Sequence, residues 1–83
     1  MNKILVRLYV PTIEQQYDIW IPLNRRIYNV IYLISKAVFE LSDEYYNPKE
    51  MPRLYDRFTA RQYDVNLTVK DANIMNGSEL VLL

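Results

Sequence analysis

The sequence predicts an α+β domain in which a mixed sheet of four to five strands carries one helix across one face. Three observations lead to this class. Residues 3–10 and 17–21 alternate between two sets of side chains, which is typical of strands with one covered face. Residues 27–41 repeat apolar side chains every three or four positions, as a helix does. Another alternating run follows at residues 79–83. The total length of 83 residues predicts a single domain, residues 1–83.

The first two strands are expected to form an antiparallel hairpin. Asp18 and Trp20 would point outward from it, and the connection from Pro11 to Gln16 lacks Asn-Gly or Asp-Gly, which leaves the register open. The residues predicted to point toward the core are Ile4, Val6, Leu8, Val10, Tyr17, Ile19 and Ile21.

One helix is expected after Pro22, which stops the second strand. Asn24 is the predicted N-cap. Arg25 and Arg26 lie where the helix dipole disfavours positive charge, so another group should hold them. The predicted apolar face of the helix is Ile27, Val30, Ile31, Ile34, Val38 and Leu41.

The rest of the chain supplies the return to the sheet. We expect a polar loop over residues 42–52 and two short strands at residues 53–55 and 61–65. Gly77, the only glycine, precedes the last strand, where a turn needs a positive φ. The first and last strands should be parallel neighbours, joined by a right-handed crossover. This order of elements predicts the β-grasp arrangement.

Composition excludes most catalytic chemistry. The chain has no cysteine and no histidine. It therefore has no thiol or imidazole group to act as a nucleophile or as a metal ligand. We therefore predict no enzyme activity, no cofactor and no metal site. Ten basic residues balance ten acidic ones, which argues against a nucleic-acid partner. No run reaches the roughly 18–20 apolar residues that span a bilayer, so direct membrane insertion is not expected.

Two segments carry a resemblance to a known family. Residues 21–34, with Ile27-Tyr28-Asn29-Val30 at their centre, match the strand end, proline-containing connection and helix start of ubiquitin. The second segment reads Asp71-x-x-Ile74-x-Asn76-Gly77-Ser78-x-Leu80-x-Leu82-Leu83. Together they resemble ubiquitin and, more closely, the small ubiquitin-like proteins of the YukD/EsaB family, which accompany bacterial type VII secretion systems.

The resemblance implies a non-catalytic accessory or adaptor protein of such a system. Its partner would be a component of the membrane-bound secretion apparatus. It would act in the cytoplasm, where its partners recruit it to the inner face of the membrane. Ubiquitin-type modifiers and sulfur carriers need a terminal Gly-Gly, whereas this sequence has no glycine after Gly77 and ends in Leu82-Leu83. We therefore expect neither conjugation nor sulfur transfer.

The sheet face away from the helix is the expected contact surface, because ubiquitin-like folds usually bind through it. Its predicted members include tyrosine, tryptophan and arginine, the residue types that dominate binding hot spots. Any two-layer domain also leaves one sheet face in water, where scattered apolar residues are ordinary. The predicted protein-binding residues are Leu5, Arg7, Tyr9, Trp20, Arg53, Tyr55, Val81 and Leu83.

Three aromatic residues on the helix, Tyr28, Tyr32 and Phe39, form a second candidate surface. They either cover the edge of a small core or bury against another protein. Burial against a second copy would make a homodimer. The alternative function is therefore a self-associating structural or regulatory β-grasp module unrelated to secretion.

Overall fold

The computed structural model describes residues 2–83 and has the predicted β-grasp arrangement. The sheet order is β2-β1-β4-β3, with β1 antiparallel to β2, β1 parallel to β4, and β4 antiparallel to β3. One helix packs across one face of this four-stranded sheet. The elements are β1 (Lys3–Val10), a 3-10 turn (Pro11–Ile13), β2 (Gln15–Pro22), α1 (Ile27–Leu41), β3 (Leu54–Asp56) and β4 (Glu79–Leu82).

The hairpin of β1 and β2 pairs without interruption from Lys3 and Pro22 to Val10 and Gln15. Its connection is two residues shorter than predicted, because Glu14 adopts a left-handed conformation (φ 53°) and its N–H donates to the Pro11 carbonyl at 3.0 Å. This tight turn starts β2 at Gln15. The predicted alternation of both strands is confirmed, with their core-side residues buried or half-buried.

The N-terminus of α1 is capped by a different part of the chain from the one predicted. The N-cap position is Arg26, and no side chain caps the helix, so the assignment of Asn24 was wrong. The Leu67 carbonyl accepts the N–H of Ile27 at 2.8 Å, and the Val65 carbonyl accepts the next N–H at 3.1 Å. Because a distant loop satisfies these amides, the helix needs no local capping residue.

The same loop holds one of the two arginines at this helix end. The Arg26 guanidinium donates a hydrogen bond to the Asn66 carbonyl oxygen. The Arg25 carbonyl accepts the N–H of Val69 at 3.1 Å. The expectation that another group holds the arginines is thus confirmed for Arg26, by a carbonyl oxygen.

The core lies between α1 and the inner face of the sheet. Leu41 was predicted to belong to it but is 61% exposed, because it is the last residue of α1 and nothing covers it. Tyr46 lies in the polar loop yet is buried, which the sequence did not indicate. The largest side chains that are almost fully buried are Leu8, Ile21, Ile27, Ile31, Leu54, Leu80 and Leu82.

The region after β3 differs from the prediction. No strand forms at residues 61–65 in the described chain; an isolated bridge joins Gln62 to Tyr55 instead. The chain reverses over residues 57–60, where Ala60 has a φ of 60°. Two backbone hydrogen bonds join the returning segment to β3, from Asp56 N–H to the Arg61 carbonyl and from Tyr63 N–H to the Leu54 carbonyl, each at 2.9 Å.

The side chain of Asp56 organises this reversal. Its Oδ1 accepts the N–H groups of Phe58 at 2.8 Å and Thr59 at 3.0 Å, and its Oδ2 accepts the Tyr63 hydroxyl at 3.3 Å. These bonds, led by the one from Thr59, lower the pKa of Asp56 below its usual range. Burial, with the charge and hydrogen bond of Asp56, raises the pKa of Tyr63 to about 12.

Asp56→Ala is expected to lower the free energy of unfolding by about 1 kcal/mol at pH 7, the usual cost of losing a capping side chain. Since the folded pKa is depressed, the unfolded chain takes up the proton first as pH falls. The stability difference between wild type and variant should therefore shrink below about pH 4. Urea unfolding at pH 7 and pH 3 measures it. Asp71→Ala, at an exposed acid without a side-chain hydrogen bond in the described chain, should show no such change.

The turn before β4 is fastened to β1. Gly77 has a φ of +89°, which confirms the predicted need for glycine, and its N–H donates to the Leu5 carbonyl at 2.7 Å. The Asn76 side chain accepts the N–H of Leu5 at 2.8 Å. A Cβ on Gly77 would meet nothing within 4 Å, so backbone conformation, and not space, is what requires glycine here.

Candidate protein-binding face

All eight predicted contact residues lie on the sheet face away from α1, hereafter the outer face. Trp20 of β2 lies opposite Leu5 of β1. Four residues further along β1 and on the same face, Tyr9 lies opposite Val81 of β4, which lies opposite Tyr55 of β3. The register therefore joins Tyr9, Val81 and Tyr55 into one row across three strands.

The remaining three predicted residues flank that row. Arg7 lies two residues before Tyr9 and projects from the same face. On the other side, Leu83 and Arg53 exchange backbone hydrogen bonds of 2.9 and 3.3 Å, which continues the pairing of β3 with β4. The structure thus brings the eight residues onto one surface. Their role in binding remains a prediction.

The centre of the outer face is aromatic and aliphatic, and its apolar atoms are in contact with water. Tyr9, Tyr55 and Val81 are half-buried, whereas Trp20 is 62% and Leu83 57% exposed. Scattered exposed apolar residues carry no meaning on a surface, but the strand register groups Tyr9, Val81 and Tyr55. Trp20 and Leu5 lie apart from this group, because Arg7 and its partner Asp18 stand between them and Tyr9. The result is an apolar strip that crosses the sheet.

Four charged residues beside this strip form two ion pairs. Arg7 Nε lies 3.2 Å from Asp18 Oδ1, and Arg57 Nη1 lies 2.9 Å from Glu79 Oε1. The guanidinium carbon of Arg57 also lies 5.1 Å from the centroid of the Tyr9 ring, a cation–π contact. Two ion pairs therefore border the apolar strip, and Arg57 holds the Tyr9 ring in place.

Arg57 and Glu79 were missing from the predicted contact residues. Glu79 could have been found, because alternation from the inward Leu80 places it outside. Arg57 could not, because it follows β3 in the chain reversal, where alternation no longer fixes the direction of a side chain. Its N–H donates to the Glu79 carbonyl at 3.1 Å, so the backbone brings the two residues together.

A groove of about 910 Å³ opens at one end of the outer face. Tyr55, Arg53 and Leu83 line it from the sheet, so three predicted contact residues belong to both surfaces. The opposite wall is the loop after α1, including Tyr46 and Met51. The outer face is therefore not flat, and it continues into a concavity with aromatic walls.

The second predicted surface lies on the helical layer, away from the outer face. Tyr28 and Tyr32 are exposed, whereas Phe39 is half-buried. At 100° per residue these three positions fall within one narrow flank of α1. They therefore share a surface, and Phe39 contributes partly to covering the core edge.

Neither a metal centre nor a membrane span is found among residues 2–83. No three acidic side chains in this range cluster so that they would hold a metal ion. No helix in the described chain is long and apolar enough to cross a membrane.

Comparison with known proteins gives matches of structure only. No protein-family model matches the sequence, and no curated protein matches it. The ubiquitin-like domain of the Mycobacterium tuberculosis type VII secretion protein EccD1 matches with a TM-score of 0.79 at 14% identity, covering 100% of this chain and 99% of that one. The chain has a ubiquitin-like fold.

Other solved structures match with similar scores. The EccD5 ubiquitin-like domain from Mycobacterium xenopi has a TM-score of 0.69 at 14% identity, covering 100% of this chain and 94% of that one. A chain of the toluene 4-monooxygenase HD complex with the inhibitor 4-bromobenzoate has a TM-score of 0.77 at 11% identity, covering 96% and 95%. Such identities establish a shared fold. The resemblance seen in the sequence is thereby confirmed at the level of the ubiquitin-like fold.

Proposed function

We propose that this ubiquitin-like chain is a YukD/EsaB-like adaptor of a bacterial type VII secretion system, which binds a protein component of the secretion apparatus through its outer face. It acts by binding and not by catalysis. The observation that carries the proposal is the match over nearly the whole length of both chains to the ubiquitin-like domain of EccD1. Two such neighbours come from type VII secretion proteins.

The composition of the outer face supports a protein as the ligand. An apolar, aromatic centre bordered by charged groups is the usual anatomy of a protein interface. Arg7 is paired with Asp18 and Arg57 with Glu79, which leaves Arg53 as the arginine of this face outside an ion pair in the described chain. A nucleic acid would need a surplus of cations that the chain, with a net charge of zero, lacks.

The absence of cysteine and histidine from the sequence supports a non-catalytic role in a reducing compartment. We place the protein in the cytoplasm, where partners would hold it near the inner face of the membrane. Ubiquitin-like domains, which most of the structural neighbours are, are typically non-catalytic.

The gene neighbourhood is the first test. A type VII secretion adaptor should be encoded beside an FtsK-like ATPase and a small secreted helical-hairpin protein. A neighbourhood with neither would contradict the secretion assignment while leaving the fold unchanged. Where the ATPase is present, its purified cytoplasmic part is the probe for direct binding.

Tyr55→Ala and Arg7→Glu are each expected to weaken binding to that ATPase about 100-fold, which is the scale of a hot-spot residue. Tyr55 lies in the central row, and Arg7→Glu would place a third carboxylate between Asp18 and Glu79. Both side chains contact water, so the melting temperature should change by only a few degrees. Titration calorimetry measures binding, and circular dichroism measures stability.

Tyr32→Ala is the matched control, because it removes an exposed aromatic ring from the helical layer instead of the sheet. Its affinity should equal that of the wild type. If Tyr32→Ala weakens binding while Tyr55→Ala and Arg7→Glu do not, the interface lies on the helix and the outer face is not the binding surface.

A further inference from the structure

The two edges of the sheet are unequal. The β3 edge is three residues long, and the returning chain covers it: Asp56 N–H donates to the Arg61 carbonyl and Tyr63 N–H to the Leu54 carbonyl, each at 2.9 Å. The β2 edge is eight residues long and pairs with β1 in continuous register, without a bulge. Nothing else in residues 2–83 pairs with β2.

The pairing shows which backbone groups of β2 are free. Leu23 N–H donates to the Asn2 carbonyl at 2.7 Å, and antiparallel strands alternate between bonded and non-bonded pairs. Odd-numbered residues of β2 therefore direct their N–H and C=O groups to β1. Gln16, Asp18 and Trp20 direct theirs outward, whereas Pro22 offers only a carbonyl.

This edge lacks the usual protection against further pairing. Proteins block exposed edges with lysines, central prolines, bulges or short strands. The one charged residue of β2 is Asp18, which Arg7 already pairs, and Pro22 stands at the strand end. Trp20 adds a large exposed side chain beside the free backbone groups. An open, long and nearly uncharged edge is a site for another strand.

We propose that β2 pairs with β2 of a second copy of this chain, antiparallel about a two-fold axis at Ile19, to form one eight-stranded sheet. An axis at Asp18 would set two carboxylates directly opposite, which is destabilising. The axis at Ile19 sets Asp18 opposite Trp20 of the second copy, and Gln16 opposite its Pro22.

This register matches the free groups of the edge. Each outward N–H of Gln16, Asp18 and Trp20 meets a carbonyl of the second copy, and the residue without an N–H, Pro22, lies at the end of the pairing. An axis at Tyr17 or Trp20 leaves outward N–H groups beyond the overlap. Tyr9, Val81 and Tyr55 of the outer face and the helix α1 remain uncovered, so dimer formation leaves the central row free for the proposed partner.

Cysteine substitution tests the register directly, since the natural chain has no cysteine. Ile19→Cys would lie opposite itself at a non-hydrogen-bonded pair, with Cα atoms about 4.5 Å apart, within disulfide range. Asp18→Cys would lie diagonally across, beyond about 7 Å. On oxidation, Ile19→Cys should give a disulfide-linked dimer, whereas Asp18→Cys and Thr59→Cys, at an exposed site near the other edge, should form no disulfide between copies. Disulfide-linked dimers of all three variants, or of none of them, would overturn the proposal.

Sedimentation equilibrium provides the second test. The wild type should associate from its 10.0 kDa monomer into a dimer as concentration rises. Gln16→Pro, which removes one outward N–H from each copy, should raise the dissociation constant at least tenfold, on the scale of two lost hydrogen bonds. Gln16→Val keeps that N–H and should dimerise like the wild type. A wild type that stays monomeric up to about 1 mM, or equal association by both variants, would contradict β2 pairing and leave the edge for a strand of another protein.

Discussion

Tyr46→Ala is expected to lower the free energy of unfolding by about 3–4 kcal/mol, the range for truncating a buried aromatic ring. Tyr46 is only 5% exposed and packs in the core, although it lies in a loop without regular structure. Its N–H donates to Ser42 Oγ at 2.9 Å, just beyond the end of α1. Burial raises the pKa of its hydroxyl, consistent with a ring held away from water.

The effect would remove much of the total stability. A domain of this length has roughly 4–12 kcal/mol available, so the variant should be marginally folded. Tyr46 is the buried aromatic residue of the segment between α1 and β3, where Pro52 is also buried and Tyr45 is in solvent. The shape of the groove at the end of the outer face should also change, because Tyr46 is part of its wall.

Tyr45→Ala provides the matched control. It removes the same side chain one residue earlier, but Tyr45 is 77% exposed. Its unfolding free energy should stay within about 0.5 kcal/mol of the wild type. Guanidinium unfolding of the three proteins measures the difference. Equal losses from both variants would mean that Tyr46 is not the residue that anchors the loop.

The contrast between Tyr45 and Tyr46 also shows where prediction from the sequence ends. Alternation and helical spacing predicted β1, β2 and α1, because each of these elements buries one regular stripe of side chains. Tyr45 and Tyr46 are adjacent residues of the same type in a loop without a periodic pattern. Only the fold determines which of them enters the core. Asn24 failed as a cap for a similar reason, since the capping carbonyls come from residues 65 and 67.

The outer face was more accessible to prediction than the loops. Strand alternation fixes the side of every residue in β1, β2 and β4, so Leu5, Arg7 and Val81 could be placed from sequence. Their neighbours across the sheet depend on register, which a four-residue connection without a strong turn motif leaves open. The position of the Arg57 side chain depends on the chain reversal that Asp56 organises. No periodic sequence pattern extends to this residue.

Leu8→Ala should be as damaging as the loss of Tyr46, for a reason that lies in the sheet. Leu8 is 1% exposed at the centre of β1, where it lies opposite Tyr17 of β2 and Leu80 of β4. The strands on both sides of β1 hold the backbone, so the cavity left by truncation cannot collapse easily. We expect a loss of about 3–4 kcal/mol, equivalent to a fall of about 15–25 °C in Tm.

Leu5→Ala on the same strand separates stability from binding. Leu5 is half-buried on the outer face, and its backbone bonds to Asn76 and Gly77 do not involve its side chain. Its truncation should lower the free energy of unfolding by no more than about 1 kcal/mol. It should nevertheless weaken the affinity for the proposed partner about tenfold. Leu8→Ala, assayed below its Tm, should bind with wild-type affinity.

Thermal unfolding and calorimetric titration of both variants test this separation. The expected result is a crossed pattern in which Leu8→Ala changes Tm alone and Leu5→Ala changes mainly affinity. The two leucines differ by three positions on one strand and so project from opposite faces. If Leu8→Ala and Leu5→Ala lose affinity equally, binding depends on the integrity of the whole sheet and not on the side chains of its outer face.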